Sequence, residues 1–281
     1  MIELCAESGL LVMLDVHVIE AGRWPDNGKV GGTAGREKLR RAWMMLAERF
    51  CDADRYWNVF AADLKNEPHG MFWGPLHGAA YDPSERWDTL AATLGETVHR
   101  ICPRWVLVVE GVGHCADSED GEGGCRAPAA VGQDMHTSTW WGENLQAASQ
   151  LPVRVPDAPG KVLYSPHVYG PSVATQPYFD SAAFPRNLRA IWSEQWGHLT
   201  VGPSASASVG ILIGEWGGRL ETSEKERTWQ HVLAEFIADP ASRLAGSFCA
   251  LMAPGLALCI TRLLSLISAL DLHSSLSRSQ S

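Results

Sequence analysis

Runs of apolar residues alternate along the chain with stretches whose apolar positions recur at helical spacing. Leu11–Val18 (LVMLDVHV) is too continuously apolar for a half-exposed strand and predicts a buried one. Val59–Leu64, Val106–Glu110, Lys161–Tyr169 and Gly210–Glu215 predict four more, and Leu244–Cys249 a sixth. Between them, Arg36–Phe50, Ser84–Arg100, Asn187–Trp196 and Ser223–Ile237 predict helices, with a short one over Gly142–Ser149. Ser84, directly after Pro83, is the expected N-cap of its helix. The first ten residues read as a helix that leads at once into the first strand.

Strand and helix in alternation imply parallel strands joined by crossover helices. No G-x-G-x-x-G follows a strand and no P-loop is present, so a (β/α) barrel is favoured over a dinucleotide-binding sheet. The predicted strands end in polar residues: His17, then Asn66 and Glu67, Glu110, His167 and Tyr169, and Glu215. The C-terminal face of a parallel barrel is where chemistry is assembled, so five strands ending in carboxylate, imidazole, amide or phenol form a pattern.

Charge narrows the partners. With 23 Lys and Arg against 32 Asp and Glu the net charge is −9, which repels phosphate and argues against nucleic acid and anionic membranes. Twelve Trp are open to two readings, core packing or stacking platforms for the apolar faces of sugar rings. The seven Cys form no C-x-x-C pair, which argues against a zinc ribbon. Cys115 and Cys125 flank an acidic, glycine-rich stretch that reads as a solvated loop, with spacing that would suit a disulfide. His114 and His136 lack metal-ligand spacing. The N-terminus has no basic region before its apolar run and no signal peptide is expected from it. From Ala250 the chain is rich in Leu and Ser. Arg262 interrupts that run, so a membrane span is not expected.

Cleavage of a glycosidic bond needs two carboxyl groups, one protonated and one ionised. Glu67 in KNEPHG and Glu215 in LIGEWGG are the outstanding pair, each closing an apolar strand. DLKNEPHG, taken with LDVH at 14–17, HVY at 167–169 and GEWGG at 214–218 in that order, resembles glycoside hydrolase family 5, the cellulase and mannanase family. Phe60 departs from the branched aliphatic that usually opens the motif.

The resemblance implies an α/β fold of the (β/α)8 TIM-barrel type over residues 1–248, with 249–281 an atypical tail. It implies retention, no cofactor or metal, Glu67 as acid/base and Glu215 as nucleophile. It also implies substrate contacts from His17, Asn66, His167, Tyr169, Trp141 and Trp216. Glu110 is weighed evenly as a support for the cleft floor. The expected partner is a β-glucan or related polysaccharide, the expected location extracellular, and the expected state monomeric. The family has two strands before the one ending at His17, so an incomplete barrel with exposed edges is expected. Its eighth strand carries a Trp that CALMAP, at 249–254, does not supply. An inactive fragment, a non-catalytic sugar-binding barrel, and mannanase or exo-glucanase specificity remain alternatives.

Overall fold

A computed structural model describes residues 1–19, 30, 32–68, 71–74, 83–113, 139–200, 209–240, 244 and 246–247. In chain order the strands are β1 (Val12–Asp15), β2 (Val59–Asp63), β3 (Val106–Glu110), β4 (Val162–Ser165), β5 (His167–Tyr169), β6 (Gly210–Ile213), β7 (Glu215–Gly217) and β8 (Gly246–Ser247). Six form one parallel sheet in the order β1-β2-β3-β4-β6-β8. β5 and β7 pair with each other, also in parallel, just beyond the ends of β4 and β6. The single strands expected over 161–169 and 210–215 therefore each continue into a second segment. The first break falls at Pro166, which has no N–H for the ladder. The Pro166 carbonyl still accepts from Gly214 N at 3.2 Å, which holds the two segments in line.

The helices are α1 (Ile2–Glu7), α2 (Gly32–Phe50), α3 (Trp87–Ile101), α4 (Leu188–Gln195) and α5 (Glu224–Ala238). Ser223 caps α5, its hydroxyl accepting from Glu226 N at 3.1 Å. Ser84 does not cap α3. It sits in a 3-10 turn over Pro83–Glu85, the N-cap is Arg86, and the Ser84 carbonyl instead receives Arg36 Nη1 at 2.8 Å. The short helix expected at 142–149 is a single 3-10 turn, Gln146–Ser149.

Side chains alternate across each strand, so one set packs inward and the other against the helices. Ala61, Val106, Val108, Leu163 and Leu212 form the inner set, with Met13 and Phe60 against it. Phe60 and Ala61 both reach this set because the pairing slips there. Val12 faces Val59 and Met13 faces Ala61, which leaves Phe60 as the extra residue of a bulge. The outer set, including Val59, Ala62, Leu107, Val109, Ile211 and Ile213, packs under the helices with most of the tryptophans. Trp43, Trp73, Trp87, Trp105, Trp192, Trp196 and Trp229 are fully buried, so core packing accounts for these seven of the twelve.

Cys51 and Cys102 form a disulfide with a Cα–Cα distance of 5.4 Å, joining the residues that follow α2 and α3. Arg104 braces the same corner, donating to the carbonyls of Cys51, Val59 and Tyr56. Bridging positions 51 residues apart removes chain entropy from the unfolded state worth about 4 kcal/mol. Replacing both cysteines with Ala is expected to lower the melting temperature by about 10 °C. Differential scanning calorimetry of the double variant checks this, and a shift below about 2 °C would contradict it.

Candidate active site

The alternation that builds the core also builds the site. Two residues beyond the inward-facing Met13, Ala61, Val108 and Leu163 come Asp15, Asp63, Glu110 and Ser165, which therefore form a polar layer on top of the apolar one. Asp15 lies opposite Asp63 and Glu110 opposite Ser165. Asp63, Glu110 and Ser165 are buried. Asp63 and Glu110 are both pushed above the usual carboxylate range, first by burial and then by neighbouring carboxylates. Both shifts favour the protonated forms of these buried carboxyls.

Above this layer stand the predicted site residues. Glu67 has φ +46°, the only positive φ at a non-glycine among the described residues. Such a backbone costs about 1–3 kcal/mol and persists only where its surroundings enforce it. Here the Glu67 N–H donates to Glu110 Oε2 at 2.7 Å, and the preceding Asn66 N–H donates to the Val16 carbonyl at 3.3 Å. Asn66 is buried, with its amide nitrogen 3.4 Å from His17 Nε2. His17 is exposed and lies 2.8 Å from Asp15 Oδ2 through Nδ1. That hydrogen bond is the main cause of its raised pKa. Buried Lys65 ties the two strand ends together, donating to the carbonyls of His17 at 3.1 Å and Asn66 at 2.5 Å. Burial lowers its pKa.

Glu215 opens β7 directly opposite His167 of β5. The Tyr169 hydroxyl donates to Glu215 Oε2. Burial and the charges of Glu215 and Glu67 push the Tyr169 pKa up, which keeps it a donor. The buried His167 ring lies among three carboxyl groups. Nδ1 is 3.3 Å from Glu67 Oε1 and 3.8 Å from Glu215 Oε2, and Nε2 is 3.3 Å from Glu110 Oε1. Burial lowers its pKa, but the hydrogen bond to Glu67 and the negative charges of Glu215, Glu67 and Asp63 outweigh this and leave it raised. A Cβ at Gly214 would lie 2.8 Å from His167 Nε2 and 2.3 Å from Ser165 Oγ, so only glycine lets the ring sit here. One carboxylate oxygen of Glu67, one of Glu215 and a ring nitrogen of His167 lie within 4.8 Å of one another.

Of the two adjacent tryptophans, Trp140 belongs to the core. Its N–H donates to Tyr178 Oη at 3.1 Å and its ring packs edge-on against Tyr169. Trp141 is only partly buried. Trp216, opposite Val168, is partly buried against the core. His114, His136, Cys115, Cys125 and residues 248–281 lie outside the described residues. A cavity of about 500 Å³ opens elsewhere, beside Val162 and Val209 where β4 and β6 begin, and contains none of the site residues. Sequence reasoning missed Asp15, Asp63 and Lys65. The available signal was a carboxylate closing each of two apolar runs, VMLD and VFAAD, in the same phase as Glu110 in VLVVE.

Two facing carboxylates at the C-terminal ends of parallel strands, with a tyrosine on one and a histidine between, define the class of barrel glycoside hydrolases. The chain belongs to the cellulase family, glycosyl hydrolase family 5, whose family model matches residues 1–242. It is 34% identical over 241 residues to an endoglucanase of Paenibacillus polymyxa, covering 84% of this chain and 53% of that protein. It is 30% identical over 233 residues to the major extracellular endoglucanase of Xanthomonas campestris pv. campestris, covering 82% and 41%. The chain thus spans about half the length of the curated relatives it matches. The endocellulase of Pyrococcus horikoshii superposes with a TM-score of 0.69 at 29% identity, over 91% of this chain and 65% of that one. A complex of that enzyme with cellotetraose gives 0.68 at 29%, over 90% and 64%. The fold is α/β of the (β/α)8-barrel type.

Glu143 shows how burial tunes a carboxyl beside the site. It is fully buried and accepts from Trp140 N at 2.9 Å. Burial pushes its pKa from 4.5 up to about 8, against the pull of that hydrogen bond. The folded state thus keeps a proton that the unfolded state releases. The resulting stability is fully present below pH 4.5 and is lost as pH rises through about 8. The slope between them is about 1.4 kcal/mol per pH unit. Glu143→Gln has no such dependence, so its stability relative to the parent should improve between pH 5 and pH 8. Urea unfolding at both pH values checks this, and a constant difference would show that Glu143 ionises freely in the fold.

Proposed function

We propose that this protein is a retaining glycoside hydrolase that cleaves internal linkages of β-linked glucans. The observation that supports this most directly is the approach of the Glu67 and Glu215 carboxylates. Oxygens within 4.8 Å suit direct attack by one of them. An inverting pair stands about 6.5–9.5 Å apart to leave room for water. The endoglucanase relatives and the cellotetraose complex of a structural neighbour favour β-glucan as the substrate class.

In the first step Glu67, protonated, donates its proton to the glycosidic oxygen as that bond breaks. Glu215, ionised, forms a bond to the anomeric carbon. In the second step Glu67 takes a proton from water, the water oxygen attacks the anomeric carbon, and the bond to Glu215 breaks. Tyr169 holds the Glu215 oxygen in place, and Asn66 offers its amide to the sugar hydroxyl next to the reacting carbon. His17, His167, Trp141 and Trp216 complete the cleft wall in this reading. Export to an oxidising compartment fits the Cys51–Cys102 disulfide and the extracellular relative.

The test is an assay of the chain on β-glucans and mannans, with the anomer of the first product read by NMR. The expected result is β product from β-glucan; initial α product would overturn retention. Glu215→Gln is expected to abolish turnover, by at least about 10³-fold, while still binding oligosaccharide. Glu67→Gln is expected to slow glucan hydrolysis far more than hydrolysis of aryl glycosides with acidic leaving groups, which need no proton. Equal losses on both substrates would remove Glu67 from the acid role.

A further inference from the structure

Tyr169 and Glu215 stand on β5 and β7, strands of only three residues each that pair with each other beyond the six-stranded sheet. A two-stranded unit of this length is marginal on its own. Tyr169 lies opposite Gly217, so its hydrogen bond to Glu215 crosses the pair diagonally and depends on the register of the two strands.

Glu226, fully buried in the first turn of α5, reaches the point where both strands leave. Its Oε2 accepts from Ser172 N at 2.8 Å, three residues beyond Tyr169. Its Oε1 accepts from Gln230 Nε2 at 2.8 Å, and the same Nε2 donates to the Gly218 carbonyl at 3.2 Å. The two exits are also joined to each other. Gly170 N donates to the Gly217 carbonyl at 2.9 Å, and Arg219 N to Ser172 Oγ at 2.7 Å. A Cβ at Gly170 or at Gly218 would come closer than 3.0 Å to Glu226 Oε1, so both exits are glycine where the carboxyl group enters.

We infer that Glu226 is a positioning residue: its carboxyl group clamps the exits of β5 and β7 and so sets the register in which Tyr169 holds Glu215. This rests on the glycosidase reading, which gives Glu215 its task. Glu226 has no exposed surface and acts only through the strands it joins. The Ser172 N–H needs an acceptor, and a carboxyl oxygen supplies it. Truncation to Ala removes that acceptor and leaves space beside two glycines, into which their backbone can settle. Glu226→Gln keeps the volume and an oxygen for Ser172 N, while the Gln230 amide can turn its oxygen to the new NH2. The amide variant therefore keeps the clamp and the Ala variant loses it.

The test uses full chain labelled with 13C at the tyrosine Cζ, whose shift reports the hydrogen bond of the hydroxyl. The chain has five tyrosines, and each signal is assigned by its absence in the matching Tyr→Phe variant. In Glu226→Ala the Tyr169 signal is expected to move toward its position in Glu215→Ala, while those of Tyr56 and Tyr164 stay, which shows the rest of the fold intact. In Glu226→Gln the Tyr169 signal is expected to stay. On an aryl cellobioside, Glu226→Ala should lose about 10- to 100-fold in kcat with little change in KM. Combined with Tyr169→Phe it should lose no more than about twofold beyond Tyr169→Phe alone, because both changes break one interaction.

An unmoved Tyr169 signal in Glu226→Ala would overturn the inference, as would losses that multiply in the double variant or an amide variant as impaired as the Ala one. If Glu226→Ala does not fold, Gln230→Ala replaces it, at a half-buried helix position that Ala suits. Its Tyr169 signal should move in the same direction, and an unmoved one overturns the inference. The signal is read without turnover. A parent inert on every glucan but showing the expected movement would defeat the glycosidase reading and leave the clamp supported.

Discussion

A parallel sheet covered on both faces has no water to offer a charged group, and that constraint shapes everything above it. Within the strands a carboxyl can persist only where another polar group meets it or where it keeps its proton. Asp63 and Glu110 lie buried at the top of the sheet, and burial pushes both above the usual carboxylate range, toward the form that keeps its proton. Because they lie two residues beyond Ala61 and Val108, the same alternation that fills the interior with apolar side chains delivers them there. The polar layer is thus the continuation of the core by one step.

His167 is the point at which this layer meets Glu67 and Glu215. It extends the inward phase of Leu163 and Ser165 across the break at Pro166, and Gly214 leaves space for its ring. Its two nitrogens face in opposite directions, one to buried Glu110 and one to the carboxylates of Glu67 and Glu215. An imidazole suits this position because it can donate on one side whatever its charge, and change its role on the other.

Most of the sheet was legible because buried parallel strands announce themselves as short apolar runs, and Val106–Glu110 matches β3 residue for residue. The facing carboxylates of Glu67 and Glu215 were legible for a related reason, since each stands at the end of an apolar run, although Glu215 itself opens the short strand β7. Ser84 misled because capping chemistry was read from residue type alone, whereas the chain turns through a 3-10 segment before α3 begins. The tryptophans were ambiguous in composition because an indole serves a core and a sugar face equally well. Burial assigns seven of them to the core, while Trp141 and Trp216 keep partial exposure. The Cys51–Cys102 pairing had no sequence signal, because its partners meet only when α2 and α3 pack side by side.

The left-handed turn at Glu67 could not have been read from the sequence, because Asn-Glu-Pro contains no glycine to suggest it. A non-glycine φ of +46° is held by contacts, and the hydrogen bond from its own N–H to Glu110 is the contact that points inward. The strain and the buried carboxyl therefore explain each other. Without an acceptor beneath it, the turn would relax and the Glu67 carboxylate would swing away from Glu215. Without a backbone donor above it, Glu110 would lose one of the hydrogen bonds that make its burial tolerable. The arrangement places the Glu67 carboxylate on a backbone that is strained and satisfied at the same position, so its direction relative to Glu215 is fixed by the fold.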